Sequence, residues 1–393
     1  MMEQAGTLIS LILRRAPALS VALLLNAGVS TAQTSMSGWE AFTSMREINA
    51  VVTSPTDMWA ASSGGLLHYD MVHDEYERFT ILDGLASNRI ISLAIDDSAM
   101  LWIGTEDDGL SRLDTRTGEI APPVLDFEGL DINAILPVGD RLYLGTDRGI
   151  SLFLTDRQEV KETYRKLGNL LVNSAVTSLV LHNEKLWVGT DIGVALANLD
   201  QPNLQDPESW SVAGFRPGRV HQLLAVNDTM YAATKTGAYF FDEGLGIFVS
   251  AYLDEPATAI SILDGAPLIA VPSGNFLRRE EVDVWQRVPG SIITDVRDIS
   301  IHERGLWLAT ATGIRVIPLA NQPEPSREPA ANQFYDMAFD GNEDFWVASV
   351  PNDHFDSFGV SQLRDEGWVV HNKLSGMPTD DLVTVQAGPR GRM

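Results

Sequence analysis

The 393-residue chain contains no cysteine. That excludes a thiolate nucleophile, cysteine metal ligands and disulfide staples, so an exported chain of this composition must be held together by packing. Positive charge is scarce too: 28 lysines and arginines stand against 53 aspartates and glutamates, a net charge of −25. Such a surface repels phosphate backbones, and no basic stripe interrupts it, so nucleic acid is not expected as a partner. The acidity itself reads as a solvated surface rather than a docking site.

Catalytic signatures are missing as well. There is no Gly-x-Ser-x-Gly elbow, no His-Glu-x-x-His and no Gly-rich phosphate loop with its lysine. The seven histidines are scattered, with no ligand-like pair on one strand or helix. Neither a cofactor nor a metal is expected, and an enzyme is not. Asp340-Gly341-Asn342-Glu343-Asp344 resembles part of a calcium loop but lacks the following glycine and the distal glutamate. It reads as a strand-to-strand turn, and so does Glu106-Asp107-Asp108.

At the N-terminus, Arg14-Arg15, the apolar stretch Leu19 to Val29 and the small residues Ser30-Thr31-Ala32 form the pattern of an export signal over 1–32, cleaved before Gln33. The apolar stretch falls short of the roughly 20 residues of a membrane span, though an uncleaved anchor stays open. Removing 1–32 leaves 26 basic and 52 acidic residues, a net of −26. The expected location is the periplasm or the outer-membrane surface.

What the chain has in abundance is a repeat. An apolar strand carries an aromatic or bulky residue, then one or two small residues, a turn, and Gly followed by an apolar residue. Clear copies are Leu101-Trp102-Ile103-Gly104-Thr105 with Gly109-Leu110, Leu142-Tyr143-Leu144-Gly145-Thr146 with Gly149-Ile150, and Leu186-Trp187-Val188-Gly189-Thr190 with Gly193-Val194. The anchors Trp59, Trp102, Tyr143, Trp187, Tyr231, Ile269 and Trp307 are separated by 43, 41, 44, 44, 38 and 38 residues, and Trp346 follows 39 later. Spacing of roughly 40 to 45 residues suits a four-stranded propeller blade, with strands a to d in chain order. Strand d carries an aromatic in most copies: Tyr76 and Phe79, Tyr164, Trp210, Phe248, Trp285.

The seventh copy lacks strand d. After Gly313 to Val316 the chain runs through Pro323, Pro325 and Pro329, which cannot donate to a central ladder, so 320–332 reads as a linker. Trp39-Glu40-Ala41-Phe42-Thr43 matches the strand d sequence Tyr76-Glu77-Arg78-Phe79-Thr80 and precedes the first strand a. The expected architecture is an all-β, seven-bladed propeller over 37–319, closed by this N-terminal strand, with an eight-bladed ring as the competitor. Residues 333–393 supply one further blade and, at Leu382 to Gln386, the start of another. They read as the opening of an incomplete second propeller, which implies a longer natural protein.

The lead-in Gly84-Leu85-Ala86-Ser87-Asn88-Arg89-Ile90, Asp96, the Leu101 to Thr105 strand and Gly109 to Asp114 together resemble the two-component regulator propeller repeat, and Gly376 to Leu382 repeats the lead-in. Two groups share that repeat: periplasmic sensor regions of hybrid two-component regulators, and PorZ-like proteins of the type IX secretion system. The layout at the start, with Trp39, Ile48 to Val52 and Trp59-Ala60-Ala61 leading to Gly65-Leu66, favours the second. The resemblance implies a non-catalytic binding and scaffold protein, with secretion or attachment-complex proteins as partners and lipopolysaccharide or another glycan as a ligand. In a propeller the d–a and b–c loops share one face. Candidate ligand-binding residues there are Asn88, Asp107, Asp108, Asp147, Arg148, Asp191 and Lys235.

Overall fold

A computed structural model describes residues 43–214, 218–281, 284–288, 292–318, 334–340, 344–349, 359–364 and 367–371, with 384 and 386. These residues form propeller-like, all-β structure: antiparallel sheets ordered a-b-c-d in sequence, with two 3-10 turns as the helical content among them. Sheets 1 to 6 span 48–79, 90–128, 132–164, 176–212, 220–252 and 259–287. Each has four strands, while sheet 7, over 296–318, has three among the described residues. An eighth sheet comprises Phe334–Phe339, Phe345–Ser349, Val360–Arg364 and Gly367–His371.

The repeat has a packing cause. Each anchor sits in strand b and is buried: Trp59, Trp102, Tyr143, Trp187, Tyr231, Ile269 and Trp307 are all at most 7% exposed. Each strand a opens, or nearly opens, on a fully or almost fully buried aliphatic: Ile48, Ile90, Ile132, Val176, Val220, Ala259, Val296. The small residue after the anchor is where the next sheet's aliphatic comes in. A Cβ on Gly104 would lie 2.7 Å from the carbonyl of Ile132, and one on Gly145 2.5 Å from Val176 Cγ1. On Gly189 it would lie 2.9 Å from Val220 Cγ1. Glycine is thus required by close approach between neighbouring sheets.

Among the described residues, seven apolar clusters fill the spaces between sheets. Trp59, Leu66 and Phe79 of sheet 1 pack with Ile90, Leu101 and Ile103 of sheet 2. The pattern continues sheet by sheet, and a cluster of Ile48, Val51, Met58 and Ala60 with Trp307 and Ala309 joins sheet 1 to sheet 7. Burying an aromatic in each cluster gives large apolar contact, worth roughly 1.5–3 kcal/mol per fully buried side chain.

The threonine that ends strand b locks the b–c turn. Its hydroxyl donates to the carbonyl of the turn glycine: Thr105 to Gly109 at 2.6 Å, Thr146 to Gly149 at 3.0 Å, Thr190 to Gly193 at 2.8 Å, Thr234 to Gly237 at 2.8 Å and Thr310 to Gly313 at 2.6 Å. Ser62 does the same to Gly65 at 2.6 Å. Thr190→Val keeps the shape but removes that donor and the acceptor that Ile192 N uses at 3.3 Å. It is expected to cost about 1 kcal/mol, read as a lower urea midpoint with unchanged slope.

Acidic turns also have local work. Asp96 accepts from the backbone of Ser98 (2.8 Å) and Met100 (3.0 Å) and from the indole N–H of Trp102 (2.8 Å). Asp340 repeats the last contact, accepting from Trp346 Nε1 at 3.1 Å, and accepts from Asp344 N at 3.1 Å. In both turns the carboxylate is spent on the anchor tryptophan and the turn backbone.

One strand assignment shifts. Trp210 stands just before a two-residue strand d, Ser211–Val212, because Asp206 and Pro207 start a 3-10 turn over Pro207–Ser209. It is still buried and its indole donates to the Leu204 carbonyl at 2.8 Å. The linker 320–332 and most of the expected closing strand and of Leu382 to Gln386 lie outside the described residues.

Candidate functional site

Antiparallel pairing puts the d–a connection and the b–c turn of every sheet at the same end, and the backbone ties them together. The residue after the strand b threonine or serine donates its N–H to the carbonyl just before strand a: Ser63 to Glu47, Glu106 to Arg89, Asp147 to Asp131, Asp191 to Ala175 and Lys235 to Arg219, at 3.0–3.2 Å. The candidate residues therefore share one face across sheets 2 to 5, each in the loops of its own sheet.

Their side chains differ in what they are free to do. Asn88 is a structural residue: its Oδ1 accepts from Ile81 N at 2.9 Å and holds the 3-10 turn Ile81–Asp83. Asp107, exposed and at φ 65°, lies 3.5 Å from the Arg89 guanidinium, and Asp108 is an exposed residue at the start of strand c. Asp147 pairs with Arg148 at 3.3 Å. The Oδ1 atoms of Asp147 and Asp191 are buried without a partner. Lys235 is exposed and forms no ion pair among the described residues.

Glu106, Asp107 and Asp131 bring carboxylate oxygens within 4.8 Å of one another. The pKa of Asp131 is raised, by burial first and then by the charges of Asp107, Asp147 and Glu106. Arg89 sits 3.5 Å from both Glu106 and Asp107 and supplies part of the countercharge. Such a group can accept a cation, but its glutamate and first aspartate already share an arginine.

A larger feature lies on the same face. A cavity of about 420 Å³ is lined by the opening residues of strands a from sheets 1, 2, 3, 4, 5 and 7. Its polar wall includes Asn49, Asn133, Thr177, His221, Gln222 and Asp298, with Arg219 and Arg297 at the rim. None of the seven candidate residues lines it. The lining follows one position behind the buried aliphatic that opens strand a, so Asn49, Asn133, Thr177, His221 and Arg297 are equivalent residues of successive repeats. Aligning the copies on strand a shows that they share a position in the repeat, but not that they share a space.

Much of this wall is a latch between sheets. Asn49 Nδ2 donates to the Ile90 carbonyl at 2.7 Å, Ser92 to the Ile132 carbonyl at 2.5 Å and Thr177 to the Val220 carbonyl at 2.8 Å. Asp298 accepts from Val51 N at 3.0 Å, Gln222 Nε2 at 2.6 Å and Ile299 N at 2.9 Å, and Gln222 Oε1 in turn accepts from Ile260 N at 2.8 Å. One carboxylate and one amide thus join sheets 5, 6, 7 and 1. Burial raises the pKa of Asp298, and the three donors offset part of that rise.

Comparison with known proteins places this geometry. Residues 58–211 match the family model described as the TSS9, PorZ, N-terminal beta-propeller domain. The structure is similar to PorZ, described as an essential bacterial surface component of the type-IX secretion system of Porphyromonas gingivalis, with TM-score 0.55 and 19% identity over 85% of this chain and 46% of that one. It is also similar to extracellular domains assigned to two-component systems of B. thetaiotaomicron. One has TM-score 0.59 and 15% identity over 88% of this chain and 50% of that one, and another 0.57 and 18% over 83% and 45%. The chain therefore spans about half the length of these structures. No curated protein matches. The resemblance to the PorZ and two-component regulator propellers holds, and at these identities the structural likeness speaks for the fold. No helix among the described residues is long and apolar enough to cross a membrane.

Proposed function

We propose that the chain is a non-catalytic, exported binding and scaffold propeller, a PorZ-like component of type IX secretion and cell-surface attachment. The observation that carries this reading is the match of residues 58–211 to the PorZ N-terminal propeller model. Its partners would be other secretion or attachment-complex proteins, with lipopolysaccharide or another glycan as a candidate ligand. The second reading, a periplasmic ligand-sensing propeller of a hybrid two-component regulator, draws on the likeness to the B. thetaiotaomicron extracellular domains. Deleting the gene separates them. Retention of secreted cargo inside the cell supports the first reading, whereas intact secretion with loss of a glycan-induced transcriptional response supports the second and overturns the first.

The reading includes an architecture: a signal peptide over 1–32, a seven-bladed ring over 37–319, a linker over 320–332 and the start of a second propeller over 333–393. Support for seven blades comes from the cluster that joins sheets 7 and 1 and from the polar contacts across that seam, Thr53 N to Ser300 Oγ at 3.1 Å and Arg304 Nη1 to the Met71 carbonyl at 2.9 Å. In this architecture the segment around Trp39 completes blade seven. Deleting Gly38 to Thr43 is then expected to lower the melting temperature sharply, and an unchanged melting curve would count against closure by that strand.

A further inference from the structure

We infer that the cavity on the loop face binds an oxyanion, a carboxylate or phosphate group carried by a small polar molecule, through Arg219, His221 and Asn133. This site goes beyond the proposed function, since it is independent of whether the chain serves secretion or sensing.

The first ground is which polar groups in the wall are already spent. Asn49, Ser92, Thr177, Ser178, Gln222 and Asp298 direct their side chains into hydrogen bonds with neighbouring strands. The side chains of Asn133, His221 and Arg219 make no hydrogen bond or ion pair with another described residue, and all three line the same cavity. The guanidinium is donor-only, and the amide NH2 and one imidazole N–H add further donors open to the same space.

The second ground is charge. Among the described residues Arg89, Arg116, Arg148 and Arg278 each pair with a carboxylate, which leaves them no charge to offer a ligand. Arg219 does not, and neither does Lys235, whose backbone N–H donates to the Arg219 carbonyl at 3.1 Å. His221 feels both: its pKa is lowered by burial, then by Arg219, then by Lys235. Arg297, also at the rim, is held by Glu47 at 2.8 Å and by Asn49. The one acidic residue of the lining, Asp298, is covered by three donors. The available groups thus favour an anion, which a guanidinium binds through paired N–H donors. The volume of about 420 Å³ falls within the roughly 300–1,000 Å³ of small-molecule sites.

The test is calorimetric titration of the full chain at ~0.15 M salt, where long-range surface attraction is largely screened. Glucuronate, glucose 6-phosphate and uncharged glucose serve as probes. Saturable binding of at least one anion is expected, with glucose at least about tenfold weaker, equivalent to ~1.4 kcal/mol. The arm that gives heat distinguishes carboxylate from phosphate. Arg219→Gln and Asn133→Ala should each weaken that binding about tenfold with an unchanged melting temperature, and Arg116→Gln should leave it intact. Absence of binding by both anions, equal binding of glucose, or indifference to Arg219→Gln overturns the site.

Discussion

Replacing Asp298 by alanine is expected to lower the unfolding free energy by about 3–5 kcal/mol, because three donors lose their acceptor at once. Val51 N, Gln222 Nε2 and Ile299 N all point at this carboxylate. The loss does not stay local. Gln222 is held between Asp298 and the backbone of Ile260, so freeing one end loosens the contact from sheet 5 to sheet 6 as well as the seam from sheet 7 to sheet 1. Gln222→Ala leaves Asp298 two of its donors and should cost less. The double variant should cost less than the sum of the singles, since they share an interaction.

The same residue sets a pH dependence. Burial raises its folded-state pKa, so relative to an unfolded carboxyl near 3.9 the fold prefers the protonated form. Asp298 therefore favours the folded state fully below that unfolded value, and this contribution is lost as pH rises through the folded pKa. Asp298→Asn removes the ionisation. Urea titrations from mildly acid to neutral pH should show wild-type stability falling relative to Asp298→Asn as pH rises, and parallel curves would refute the assignment.

Legibility in the sequence followed how locally each feature is forced. The Gly-Thr step of strand b is forced twice, by the aliphatic that enters from the next sheet and by the hydroxyl that closes the turn, so it recurs visibly. Sheet 6 shows what happens when one requirement relaxes. Its strand b, Ala266–Ala270, has no Gly-Thr step, yet Ile269 is fully buried, and spacing alone locates it. Outer strands were less legible, since Glu75–Phe79 buries only Phe79 and Ser211–Val212 is too short to alternate. The cavity was not legible. Asn49, Asn133, Thr177, His221 and Arg297 share a position but not one residue type, and only the arrangement of whole sheets brings them to one space. The acidic loop residues were conspicuous instead because charge is visible in a sequence, whereas the absence of a partner is not.

Gly149→Ala should destabilise by about 3–5 kcal/mol and lower the melting temperature by about 10 °C. Gly149 opens strand c at φ 109°, a conformation that L side chains rarely adopt. An added Cβ would also collide with the carbonyl of Tyr164, a buried strand d residue whose hydroxyl donates to Glu162 at 3.0 Å. Backbone on one side and a packed aromatic on the other leave little room to yield. Two equivalent glycines face the same obstacle: Gly65 meets the Phe79 carbonyl at 2.5 Å and Gly109 the Val124 carbonyl at 2.7 Å. Gly139 has a milder positive φ, 58°, inside the left-handed region, and nothing within 4 Å of an added Cβ. Gly139→Ala should therefore cost only the left-handed backbone term, about 1–2 kcal/mol. Equal melting temperatures for the two variants would mean that backbone conformation, and not the approach of strand d, imposes the glycine of the repeat.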